Sequence, residues 1–142
     1  MRLLWESPQP LTVQDRQFVI VAANRAYFDA VGRGPDQVLG RDPLAYVGQA
    51  DHADVHQSRQ DWLLALAQGR QPGRQVERRI VDAQGRLRFF RFAPRWVSAD
   101  DGAPLLLAIL QDVTLEHQAR DAAAQSDHAL DQWFDLSPIG ML

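Results

Sequence analysis

The sequence predicts an α+β domain in which one antiparallel sheet carries short helices over a single face. Two short β-rich runs open the chain, three longer ones close it, and the segments between them carry helix signals. The late runs are joined by tight turns, which imposes antiparallel pairing. The helices in the middle must then cross one face of the sheet, giving a single pair of layers.

Taken in order, residues 1–10, "MRLLWESPQP", hold a small apolar patch (Leu3, Leu4, Trp5) before two prolines, and predict a short helix or arm that docks and stops. "LTVQD" and "QFVIVAA" read as a hairpin around a polar turn at residues 14–17. Asn24 suits a helix N-cap, because its side-chain oxygen can accept from an unpaired backbone N–H of the first turn. "RAYFDAV" follows as a short helix closed by Gly32. In "GPDQVLG", Pro35 near a start and Gly40 past an end mark a one-turn helix. After a loop containing Pro43, residues 52–68 predict a longer helix, with Val55, Trp62, Leu63 and Leu66 on one face and Gly69 at its close.

"GRQVERRIV" and "GRLRFFRFAPRWV" flank the turn at 82–85, and "APLLLAILQDV" follows the turn at 99–102. If the first of these hairpins centres on 83–85, Glu77 faces Arg91 across the ladder as an ion pair. The opposite face then carries Val76, Arg78, Ile80, Arg88, Phe90 and Phe92. "LLLAILQDVTLEHQARDAAAQ", residues 105–125, passes from a buried strand into a charged, alanine-rich helix with only Asp112-Val113-Thr114 between. Within that helix Leu115, Ala119, Ala122, Ser126, Ala129, Trp133 and Leu136 recur at the spacing of a heptad seam. Its small residues bury little area, so a seam there would be weak and cheap to shift. An amphipathic helix docked on its own domain fits the same spacing.

Composition narrows the function classes. A chain of 142 residues with 46% hydrophobic and 23% charged residues has enough apolar surface for a packed core. A net charge of −3 argues against a partner held by many phosphates, so no nucleic-acid binding is expected, although every basic residue is arginine. The absence of cysteine removes disulfides, thiolate nucleophiles and cysteinyl flavin adducts. No apolar run is long enough to span a membrane and no secretory leader is evident, which predicts a cytoplasmic location for this fragment, within a chain that could be anchored elsewhere.

Asn24-Arg25-Ala26-Tyr27, Gly34 through Gly40, Glu77-Arg78-Arg79, the Gly85 turn, Pro94, the Asp101-Gly102 turn and Asp112-Val113-Thr114 occur in the order and spacing of PAS domains. Each piece is weak alone; the ordered set resembles that family over about residues 11–114. The resemblance implies a PAS fold, a five-stranded antiparallel sheet with helices over one face, plus a C-terminal signalling helix. It also explains the missing loop. In PAS proteins the last strand commonly ends in such an Asp-Val-Thr and feeds a helix that carries the signal outward. Thr114 can cap that helix, and Asp112 can hold the exit by bonding backbone N–H groups or an arginine. The resulting organisation is an arm at 1–10, a PAS domain at 11–114, a connector or signalling helix at 115–132 and, at 133–142, "WFDLSPIGML", which resembles the start of a second PAS domain.

By the same resemblance the last strand turns Leu106, Ala108 and Leu110 inward. The expected pocket is lined by Arg78, Ile80, Arg88, Phe90, Phe92, Leu106, Ala108 and Leu110 and roofed by Trp62 and Leu66. A filled hydrophobic core would have the same lining. The two arginines are the exceptions, since a buried guanidinium needs an anionic partner, which a carboxylate ligand could supply. Haem-binding PAS domains use a histidine on the long helix. His52 and His56 stand at its start, four residues apart as a metal pair could be, but far from Gly69 for a haem ligand. "DHADVH" reads equally as an acid-rich first turn. The expectation is therefore no cofactor or an unknown small molecule, with haem and metal disfavoured.

The implied function is a sensory or dimerisation module that regulates a downstream output, a histidine kinase or a diguanylate cyclase, in the same chain. A homodimer through the N-terminal arm, the C-terminal helix or both would fit that role. One alternative is a ligand-free scaffold acting only in dimerisation. Another is a small α+β enzyme with Asp or His as acid–base groups. The inward-facing positions offer no carboxylate, which counts against catalysis.

Overall fold

The structure, a computed structural model, describes residues 7–124. Leu3, Leu4 and Trp5 of the arm, the seam positions from Ser126 onward and the segment 133–142 lie outside the described residues. The elements are β1 (Leu11–Gln14), β2 (Ile20–Ala23), α1 (Arg25–Val31), α2 (Pro35–Val38), two 3-10 turns (Pro43–Tyr46 and Gln49–Asp51), α3 (His52–Ala67), β3 (Val76–Val81), β4 (Leu87–Ser98) and β5 (Pro104–Asp112). The strands form one five-stranded antiparallel sheet in the order β2-β1-β5-β4-β3.

Local chemistry explains most boundaries. The Oδ1 of Asn24 accepts from the Tyr27 N–H at 3.1 Å, and Gly32, at φ 66°, ends α1 in the left-handed conformation. Gly85, at φ 80°, turns the β3–β4 hairpin. There Asp82 Oδ1 accepts from the Gln84 and Arg86 N–H groups, and its Oδ2 takes the Arg86 Nε–H at 3.0 Å. The hairpin has the expected register, with Glu77 opposite Arg91 and an Arg91 Nη2 to Glu77 Oε1 bond of 3.0 Å.

Two segments differ from the sequence reading. β2 begins at Ile20, not at Gln17, because Phe18 adopts φ 63° in a turn tied by Asp15 Oδ1 to the Gln17 and Val19 N–H groups. That turn buries the Phe18 ring against Trp62 and Trp96, at centroid distances of 6.3 and 6.5 Å. The stretch around Pro43 is not a plain loop. Asp42 caps its 3-10 turn by accepting from the Leu44 N–H, and the next segment docks on the edge of β3 through the Val47–Ile80 bridge and a Gly48 N–H to Arg79 O bond of 2.8 Å.

The main core lies between the sheet's inner face and α1 and α2, where Ile20, Tyr27, Val31, Val38, Ile80, Phe90 and Leu110 are buried together. A second cluster joins Phe18, Trp96 and Leu106 to Trp62, Leu63 and Leu66 of α3. β5 ends at Asp112. A separate unit starts at Val113, and its described part is a helix over 114–124 in which the His117 N–H bonds Val113 O at 3.0 Å. A single residue thus separates strand from helix.

Candidate functional site

Between the inner face of the sheet and the helical layer lies a cavity of about 60 Å³. Its floor is Thr12 and Gln14 of β1, Leu106 and Ala108 of β5, Phe92 and Pro94 of β4, and Val76, Arg78 and Ile80 of β3. Its roof is Tyr27, Pro43, Val47 and, from α3, Val55, Arg59 and Trp62. The strand alternation puts these floor residues on one face, and α3 presents its residues 55, 59 and 62 at the i, i+4, i+7 spacing of a single helix stripe.

Of the residues expected at a pocket, Trp62, Arg78, Ile80, Phe92, Leu106 and Ala108 line it. Phe90 and Leu110 do not. Both are 0% exposed and fill the core against α1 and α2, so they are packing and not cavity wall. Leu66 lies further along α3, against the Phe18 and Trp96 cluster. Arg88 faces inward but sits at the end of the ladder, paired with Ile80 and diagonal to Asp112, which stands opposite Phe90. Its Nη2 bonds Asp112 Oδ2 at 2.5 Å. The arginine and the strand-end aspartate therefore meet each other, so Arg88 lies beside the exit and outside the cavity wall.

His52 and His56 are absent from the cavity wall; the His52 Nε2 is 2.9 Å from Val47 O. Among the described residues no group of three or more His, Cys, Asp or Glu side chains is placed to hold a metal.

The polar groups of the wall differ in how well they are satisfied. Arg59 donates to both oxygens of Asp42, at 2.9 and 2.6 Å, and its guanidinium lies 4.9 Å from the Phe18 ring centroid. The Tyr27 and Tyr46 hydroxyls pair at 2.6 Å, and burial pushes the Tyr27 phenol well above its ordinary value. Arg78 donates to Glu77 O at 2.9 Å, Ser58 Oγ at 2.7 Å and Asp54 O at 3.4 Å, all neutral acceptors. Burial pulls this guanidinium below its ordinary value, and Asp51 and Asp54 only partly restore it. Thr12 is 1% exposed, and its Oγ1 has no hydrogen-bond partner among the described residues.

Thr12, Gln14 and Arg59 were not expected from the sequence. In "LTVQ" alternation would normally send the polar pair to solvent, yet all four residues are buried and the polar pair faces the cavity. The Arg59–Asp42 pair links positions seventeen residues apart, which no local pattern announces.

That pair makes acid behaviour testable. Burial opposes ionisation of Asp42, but the Arg59 hydrogen bond, the Leu44 N–H and the nearby charges of Arg59 and His56 outweigh it, so its pKa lies below the ordinary 3.8. The stabilisation is complete above that ordinary value and is lost as pH falls through the lower folded one. Asp42→Asn should therefore remove part of the fall in stability below about pH 4. Urea midpoints across the acid range check this; parallel wild-type and variant curves would count against it.

The comparisons agree with this architecture. The family model described as PAS fold matches residues 4–118. No curated protein matches the chain. Among solved structures, the PAS domain of an HTR-like protein from Haloarcula marismortui is similar at TM-score 0.64 and 21% identity, over 78% of this chain and 85% of that one. A sensory box histidine kinase/response regulator from Burkholderia thailandensis superposes at TM-score 0.66 and 16% identity, over 92% and 96%. The Drosophila melanogaster Cycle PAS-B domain with bound ethylene glycol matches at TM-score 0.59 and 11% identity, over 72% and 98%.

Proposed function

This chain belongs to the PAS fold family, and from that premise we propose that it is a cytoplasmic sensory module that passes the state of its cavity through the helix at 114–124 to an output domain of a larger signalling chain. The observation that carries the reading is the continuity of β5. Its Leu106 and Ala108 form cavity wall, and four residues beyond Ala108 the strand ends at Asp112, one residue before the helix. A displacement of the wall then moves a strand end and not a slack linker. The Arg88–Asp112 pair fastens that end to β4.

The occupant is a small molecule, since about 60 Å³ holds a few waters or a ligand of few heavy atoms. The Cycle domain with ethylene glycol supports occupants of that size in this fold. A histidine kinase output is supported by the Burkholderia relative, and a diguanylate cyclase fits the same plan. A homodimer is supported by Leu115, 80% exposed, with Ala119 and Ala122 exposed at the next heptad positions. No described helix is long and apolar enough to cross a membrane.

The ligand-free scaffold is favoured by one observation, the small volume beside the roughly 300–1,000 Å³ of pockets for drug-sized ligands. Native mass spectrometry of freshly purified protein separates the two. The sensory reading expects the folded chain to exceed the denatured one by a small-molecule mass, within a dimer of 16.0 kDa protomers. Equal masses, with ligand-free dimer unchanged after soaking in cell extract, would leave the scaffold.

A further inference from the structure

Resting on that sensory reading, we infer that the cavity takes a short aliphatic carboxylate carrying a neutral hydroxyl or carbonyl group at its far end. Arg78 holds the carboxylate, and Thr12 with Gln14 takes the neutral group. Three observations lead there. Arg78 is 9% exposed and lines the cavity, yet no carboxylate among the described residues lies within ion-pair distance of it. Its hydrogen bonds, to Glu77 O, Ser58 Oγ and Asp54 O, use three of the five N–H donors that a guanidinium carries. A buried guanidinium whose hydrogen bonds all go to neutral acceptors, with Asp51 and Asp54 near but not paired with it, can still gain a charge-assisted bond from an incoming carboxylate. The other guanidinium in the wall, Arg59, is already held by Asp42 and does not compete.

The second observation is Thr12. Its hydroxyl is buried, lines the same cavity and has no partner among the described residues, while Gln14 beside it on the same face is also buried. Buried polar atoms are nearly always hydrogen-bonded, so this one points to a group supplied from outside the chain. The third is the separation. Thr12 stands on β1 and Arg78 on β3, with β5 and β4 between, which places their backbones on the order of 14 Å apart across the sheet. The intervening wall of Phe92, Leu106 and Ala108 is apolar, which suits methylene groups and not a polyol. A second carboxylate would be desolvated with only Arg59, already paired with Asp42, left in the wall to meet it, which disfavours dicarboxylates.

Isothermal titration of the whole chain, exhaustively dialysed, tests this with gamma-hydroxybutyrate, butyrate, butanediol and succinate, and with hydroxy acids from three to six carbons. The hydroxy acid should bind at least about tenfold more tightly than butyrate, butanediol or succinate of its own length. Arg78→Gln should abolish its advantage over the diol, and Thr12→Val its advantage over the simple acid. The wild-type ranking decides the matter even if a variant fails to fold. A diol equal to or better than the hydroxy acid overturns the inference and leaves the sensory reading standing. So does the absence of binding by the whole series at about 10 mM. The sensory reading itself stands or falls on the retained mass and on the helix response described below.

Discussion

Replacing Asn24 with alanine should destabilise the domain by about 3–5 kcal/mol, one of the two largest losses expected from a polar or apolar truncation in this chain. The residue is 1% exposed and serves three segments at once. Its Oδ1 accepts from the Leu11 N–H at 2.9 Å and the Tyr27 N–H at 3.1 Å, and its Nδ2 donates to Gln9 O at 2.9 Å and Ser7 O at 3.4 Å. A helix cap alone costs about 1 kcal/mol when removed. A buried backbone group left unpaired adds about 1–3 kcal/mol, and alanine orphans the buried Leu11 N–H besides the cap and, at a smaller cost, the more exposed Gln9 carbonyl. Thermal unfolding should fall by roughly 10–20 °C. A drop within the few degrees of a simple cap deletion would mean that water replaces the side chain and that the strand anchorage is incidental.

The second large effect separates core from cavity. Phe90→Ala should cost about 3–5 kcal/mol, because the ring is 0% exposed and belongs to the buried cluster that also holds Tyr27, Val38, Ile80 and Leu110. Phe92→Ala, on the same face but half-buried and bordering existing free volume, should cost clearly less and enlarge the cavity. Denaturant midpoints with unchanged m-values measure both. The order Phe92 above Phe90 would put the cavity in the wrong place.

These two phenylalanines also mark what the sequence could and could not say. Alternation and turn chemistry placed Phe90 and Phe92 on one strand face and set the Glu77–Arg91 register, because both depend on spacing along a hairpin. Which of them borders free volume depends on how α1, α2 and α3 divide that face, and no strand pattern encodes that. Arg88 shows the same limit. Its inward direction followed from period two, but its partner Asp112 lies on another strand, and only the β4–β5 register brings them together. Thr12 was hidden for the opposite reason, since a polar residue alternating with apolar ones reads as solvent-facing until the strand is found buried throughout. The Phe18 turn escaped because a non-glycine residue at positive φ runs against local propensity and is held by tertiary packing on Trp62 and Trp96.

In the sensory module proposed above, the volume of the cavity is felt at the helix. Ala108 is 4% exposed, lines the cavity and lies on the strand that leads into that helix. Ala108→Val adds two methyl groups to the free space and so imitates occupancy without requiring a ligand. Amide hydrogen exchange, followed by mass spectrometry on the wild type and this variant, reports the domain and residues 114–124 together. The variant domain should be as stable as the wild type or more so, with exchange across 114–124 altered by at least about threefold, a shift of roughly 0.7 kcal/mol in local opening. A filled and stable domain whose helix exchanges as the wild type does would contradict it.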